Sequence, residues 1–96
     1  MVNSEARIAT SSADRYAKQL TNHATRMGAR SEWAPPDGVV EFPQGGTCRV
    51  TARPEELVLR AEAPTPSQLA TIQAIIAADL ERFGHRHGIS VQWSSS

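Results

Sequence analysis

Three histidines, one cysteine and a set of outward-spaced arginines are the residues of this 96-residue chain whose types and spacing could do chemistry. His85 and His87 lie two apart. In an extended segment such a pair points the same way, and imidazole binds zinc, iron or copper. His23 and Cys48 would complete a site if the fold brought them near, giving a metal-dependent or redox enzyme. Against that reading, His85 and His87 stand just after a helical pattern, where a partly cationic ring suits the helix C-terminus. Cys48 shares its parity with Val50 and Ala52, which marks an inward, inert thiol. A reactive thiol would need a neighbouring cation or base to lower its pKa. No nucleophile–base–orienter set can be assembled from these residues. The reading leans away from an enzyme and calls for no cofactor.

Arg49, Arg53 and Arg60 fall on the opposite parity, with Thr47, Thr51 and Glu62. Such a face can hold an anion, dock a partner, or simply carry surface ion pairs in water. Binding of single-stranded nucleic acid would need aromatics interleaved with the arginines, and Phe42 and Trp93 fall on the apolar parity instead. Trp33 stands beside a Pro-Pro turn, either as an exposed anchor or closing the core edge. The leading reading is a non-enzymatic binding or accessory domain for a small anionic ligand or a partner protein. It would use Arg49 and Arg60, or a groove lined near Trp33 and His23. A homodimer built through a sheet edge or the open sheet face is the further expectation, beside a monomer.

The totals bound these readings. Hydrophobic residues make up 40% and charged residues 21%, an ordinary globular composition. The formal net charge is zero, which disfavours non-specific nucleic-acid binding. The zero hides an asymmetry: residues 1–30 carry five Arg or Lys against two acids, and 31–64 carry six acids against three arginines. One cysteine cannot form an internal disulfide. The first residues show no apolar leader, and no apolar stretch approaches the roughly 20 residues that span a bilayer. The expectation is one cytoplasmic domain over 1–96, with loose tails at 1–4 and 94–96 and no membrane role.

The elements that must position these residues follow from periodicity. A short strand is expected over 5–10. Ser11 and Ser12 offer N-caps for a helix over about 12–27, where Tyr16, Leu20, Ala24 and Met27 form one stripe. Its other face, with Arg15, Lys18, Asn22 and Arg26, reads as solvated. Short strands are expected over 31–34, 39–42, 47–53 and 57–63. They are separated by Pro35-Pro36-Asp37-Gly38, Pro43-Gln44-Gly45-Gly46 and Pro54-Glu55-Glu56, with both glutamates read as solvated. Thr65, Pro66 and Gln68 form a capping box opening a helix over 66–83, striped by Leu69, Ile72, Ile76, Leu80 and Phe83. Ile89, Val91 and Trp93 alternate in a last strand. The order is β-α-β-β-β-β-α-β. The economical solution is an α+β two-layer sandwich, a mostly antiparallel sheet with two helices on one face.

Several strings carry a family likeness together. These are Ala6-Arg7-Ile8-Ala9-Thr10 and Val40-Glu41-Phe42-Pro43, then Gly45-Gly46-Thr47-Cys48-Arg49. They continue through Leu57-Val58-Leu59-Arg60-Ala61-Glu62-Ala63, Leu80-Glu81-Arg82-Phe83 and Val91-Gln92-Trp93. Over nearly its whole length the chain resembles the bacterial family known as domain of unknown function 2218. The resemblance implies a TATA-binding-protein-like α+β fold, shared with the C-terminal domain of phosphohexomutases, and no established activity. It also implies a link, for some members, to siderophore-interacting flavin reductases. The family pattern often has a histidine where this chain has Asp79, and Ala-x-Arg-Glu where it has Gly84-His85-Arg86-His87.

Overall fold

The structure, a computed structural model, describes residues 1–95. Its elements are β1 (Val2–Ala9), α1 (Ala13–Arg26), β2 (Arg30–Ala34), β3 (Asp37–Glu41), β4 (Thr47–Ala52), β5 (Glu56–Ala63), α2 (Pro66–Phe83) and β6 (Ser94–Ser95). The strands form one antiparallel sheet in the order β2-β3-β4-β5-β1-β6. The expected element order and sandwich are thus what the chain adopts.

The sheet has one buried face because the strands alternate. Ser4, Ala6 and Ile8 of β1, Cys48 and Val50 of β4, and Leu57, Leu59, Ala61 and Ala63 of β5 all point inward and are buried. Tyr16, Leu20, Ile76 and Leu80 of the two helices close the core over them. Ser4 is polar and buried, and it accepts a hydrogen bond of 2.5 Å from Gln73 Nε2 of α2. The opposite face carries Arg7, Arg49, Arg60 and Glu62, all exposed.

The helix ends follow local chemistry. Thr65 Oγ1 accepts from the Gln68 backbone N–H at 3.2 Å, with Pro66 at the first helical position. The Gln68 side chain does not return to the Thr65 backbone; its Nε2 donates to Gln44 O at 3.2 Å and fastens the β3–β4 turn to α2. Ser12 is the N-cap of α1 but makes no side-chain cap; the Ser12 N–H instead donates to Thr10 Oγ1 at 3.0 Å. Met27, expected in the apolar stripe, lies just past the helix and is 71% exposed.

Both chain ends differ from expectation. Val2, Asn3 and Ser4, expected as a loose tail, pair with Ala63, Glu62 and Ala61, which extends β1 along the whole of β5. The polar tail begins with two paired residues, since Ser94 and Ser95 sit opposite Glu5 and Ser4; Ser96 lies outside the described residues. Residues 89–93 keep the predicted alternation in burial, with Val91 buried between exposed Ser90 and Gln92, but join no ladder. Their backbone is held by a side chain, the Val91 N–H donating to Glu81 Oε2 at 3.1 Å.

Two glycines show what the turns demand. Gly28 has φ +93° with open space where a Cβ would stand. Gly46 has φ +119°, and there a Cβ would meet Ile72 Cδ1 at 2.9 Å and Glu62 O at 3.0 Å. Gly28→Ala should cost about 1–2 kcal/mol, the strain of positive φ alone. Gly46→Ala should cost roughly 2–4 kcal/mol, because overpacking adds to that strain. Urea unfolding of the two variants against wild type measures both, and equal losses would show that Gly46 is not held by its neighbours.

Candidate functional site

The four side chains of the metal or redox reading do not meet. Among the described residues no three His, Cys, Asp or Glu side chains gather as a metal site. His85 and His87 lie in a 3-10 turn rather than an extended segment. With three residues per turn, positions two apart point in different directions, so the spacing loses its meaning as a ligand pair. His87 Nδ1 lies 2.6 Å from the hydroxyl of Tyr16 and gives that otherwise fully buried side chain its partner. Cys48 is buried on the inner face of β4, and burial pushes its thiol up to about 12.

His23 is placed differently. It stands half-buried at the edge of the α1 stripe, three residues after Leu20. Asp79 holds the matching edge of α2, three residues after Ile76. His23 Nε2 and Asp79 Oδ1 are 3.4 Å apart. Arg82 Nη2 lies 3.3 Å from the same imidazole nitrogen and 3.5 Å from the same carboxylate oxygen. The Phe83 ring meets the imidazole edge-on at 5.7 Å, fixing its plane.

His23 and Asp79 border a cavity of about 170 Å³. Leu20 and Ala24 of α1, with Met27 just beyond it, form one wall, and Ile75 and Ile76 of α2 another. Phe42, Pro43 and Gln44 of the β3–β4 turn close it, with Ala29. The space exists because Ala24 and Ala29 supply little volume where the helices and turn converge. His23 and Asp79 are the ionisable groups in its lining. Trp33, expected near His23, lies elsewhere: it packs on the core edge over its cross-strand partner Gly38.

The outer sheet face brings Arg49 and Arg60 directly opposite each other. Arg60 Nη2 donates to Glu5 Oε1 at 3.1 Å, and Arg7 Nε donates to Glu5 Oε2 at 3.1 Å. Arg7 and Glu5 come from β1, whose pairing with β5 no local pattern announces. The hydrogen bonds from Arg7 and Arg60 hold the Glu5 carboxyl below its usual range. Glu56, expected to be solvated, opens β5 and accepts from Arg7 Nη1 at 3.2 Å, with Arg53 Nε 3.9 Å away. Arg49 has no ion-pair partner among the described residues.

Of the residues singled out from the sequence, His23 lies at the cavity beside Asp79, and Arg49 and Arg60 lie opposite each other on the outer sheet face. Asp79, Arg82 and the β3–β4 turn were not among the expected site residues. The convergence of His23 and Asp79 depends on how the two helices cross.

Two helices laid on one face of an antiparallel sheet, with a ligand-sized cavity at their junction with a turn, define a small α+β domain. The chain belongs to the family described as "Uncharacterized protein conserved in bacteria (DUF2218)", which its residues 5–94 match. It is also similar to the NMR structure of PA4090 from Pseudomonas aeruginosa, with 26% identity and a TM-score of 0.79. That similarity covers 98% of this chain and 96% of the other. No curated protein matches the sequence. Among the described residues no helix is long and apolar enough to cross a membrane.

The thiol gives a direct check on the redox reading. The buried Cys48 keeps its proton up to about 12, against an ordinary 9.0. A raised acid pKa means that the thiol leaves stability untouched below its unfolded value. Above about 9 the unfolded thiolate is favoured, so stability falls as pH rises towards 12. At pH 8 an aromatic disulfide reagent should label Cys48 only at the rate of global unfolding, and at once in urea. Rapid labelling of the folded protein would restore the reactive-cysteine reading.

Proposed function

We propose that this protein is a non-enzymatic binding module that holds a small amphiphilic molecule in the cavity between α1, α2 and the β3–β4 turn. One observation carries the reading: a mostly apolar cavity of about 170 Å³ with a single His–Asp pair at its border. An apolar cavity of roughly 150 Å³ in another protein admits benzene, so this one suits one ring or a short branched chain. The few polar groups of such a pocket set the ligand's orientation. Here Asp79 accepts and His23 can donate or accept, which favours a hydroxyl or amine head over a carboxylate. The anionic ligand expected from sequence is poorly served in this cavity, because the Asp79 carboxylate lines it. Carriage or sensing of a ligand needs no catalytic step. It is also compatible with the siderophore-linked accessory role that the family resemblance implies, and the ligand would then be a fragment or product of that chemistry.

Titration with toluene, benzyl alcohol, benzylamine and benzoate, followed by amide chemical shifts, tests this reading. Benzyl alcohol and benzylamine should bind more tightly than toluene, and benzoate least. Ala29→Leu should fill the cavity and abolish binding without loss of fold. His23→Ala should weaken benzyl alcohol about tenfold, the value of one hydrogen bond. Binding that survives Ala29→Leu, or shifts that map away from α1 and α2, would sink the proposal.

A further inference from the structure

We infer that the uncovered face of the sheet carries a second, independent site, for a compact doubly charged oxyanion such as a phosphate group. Arg7 of β1, Arg49 of β4, Arg53 beyond β4 and Arg60 of β5 surround one depression of about 220 Å³, with Glu5, which is paired to Arg7 and Arg60, also in its lining. Its floor is Val58, an outward-facing residue of β5 that is nonetheless only 9% exposed. On β1 and β4 its cross-strand neighbours are Arg7 and Thr51. The arginine stems therefore lie over an apolar residue, as long cationic side chains do while keeping their heads in water.

The charge count sets the ligand class. Two carboxylates, Glu5 and Glu56, serve Arg60, Arg7 and Arg53 in a chain of ion pairs. Four guanidiniums against the two carboxylates that pair with them leave two positive charges in excess, with Asp37, bonded to Thr51, and Glu62 at the margins, and Arg49 is the one of the four without an ion pair among the described residues. Two like charges directly opposite on neighbouring strands, as Arg49 and Arg60 are, destabilise a sheet. The arrangement therefore costs stability that folding does not require. A planar guanidinium matches phosphate or carboxylate oxygens two at a time. A polyanion fits less well, for no strand puts an aromatic on this face. Glu62, one row beyond Arg60 and unpaired with either arginine among the described residues, together with Glu32 and Glu41, interrupts any cationic track.

Arg49→Gln separates this role from a structural one. Inorganic phosphate and glycerol phosphate are titrated at pH 8 and constant ionic strength, with chloride as the reference salt, and read by amide shifts around Thr51 and Val58. Wild type should show saturable shifts from the phosphate dianion. Arg49→Gln should weaken them at least tenfold while its urea midpoint stays equal or rises. Tighter binding of glycerol phosphate than of the free ion would identify a phosphate ester as the natural group, and equal binding the phosphate ion itself. Shifts no larger than those of chloride, or an Arg49→Gln variant that binds as wild type does, would overturn the site. Ala29→Leu, which fills the cavity on the other side of the sheet, should leave phosphate binding unchanged, so the two sites fail separately.

Discussion

The register of β5 is the constraint on which the rest of this structure depends. All eight of its residues pair with β1, and six of its positions also pair with β4. Side chains along a strand alternate, so this register decides for three strands at once which residues meet the helices and which meet water. A slip of one residue would turn Leu57, Leu59, Ala61 and Ala63 outward and bury Arg60 and Glu62. Burying an unpaired charge costs far more than any surface contact returns. The aliphatic and the charged positions of β5 therefore select the same pairing. Both candidate sites inherit their geometry from it. The helices that make the cavity pack on the inward side chains, and the arginine cluster is the outward set of the same strands.

The cavity has a second cause, which is the way the β3–β4 turn is tied down. Positive φ at Gly45 and Gly46 lets the chain reverse within a few residues, with Phe42 and Gly46 hydrogen-bonded at 2.9 Å. Gln68 then grips Gln44 O from the first turn of α2. This bond opposes movement of the turn into the hollow beside Ala24 and Ala29. Close packing is the rule inside proteins. A hollow kept open by small residues and a fastened turn is one the fold has not been driven to close.

Much of this was legible from residue types because parity and capping are local. Thr65-Pro66 opened α2 where expected, and the alternation of Cys48, Val50 and Ala52 placed the thiol inside. What was not legible depended on contacts distant in sequence. Residues 89–93 alternate as a strand would, but alternation reports burial, and ladder bonding also needs a partner edge in reach. The spacing of His85 and His87 carried a ligand reading only while the backbone was extended; Gly84 and Gly88 instead enclose a 3-10 turn. Asp79 could be read only as a departure from a family pattern. Its meeting with His23 joins residues 56 positions apart and depends on how the two helices cross.

The chemistry around His23 bears on the proposal that the cavity binds a ligand. An imidazole beside a carboxylate is half of a familiar acid–base arrangement, and taken alone it would point to proton transfer. Nucleophilic chemistry needs further a hydroxyl or thiol within reach, and the lining here contains neither. The nearest thiol in the chemical argument, Cys48, belongs to the core. Asp79 is shared between His23 and the Arg82 guanidinium, and the same guanidinium lies 3.3 Å from His23 Nε2. What remains is an imidazole, packed edge-on against Phe83, beside a carboxylate at the border of an apolar space. Under the proposed function, such a pair would orient a ligand by its head group.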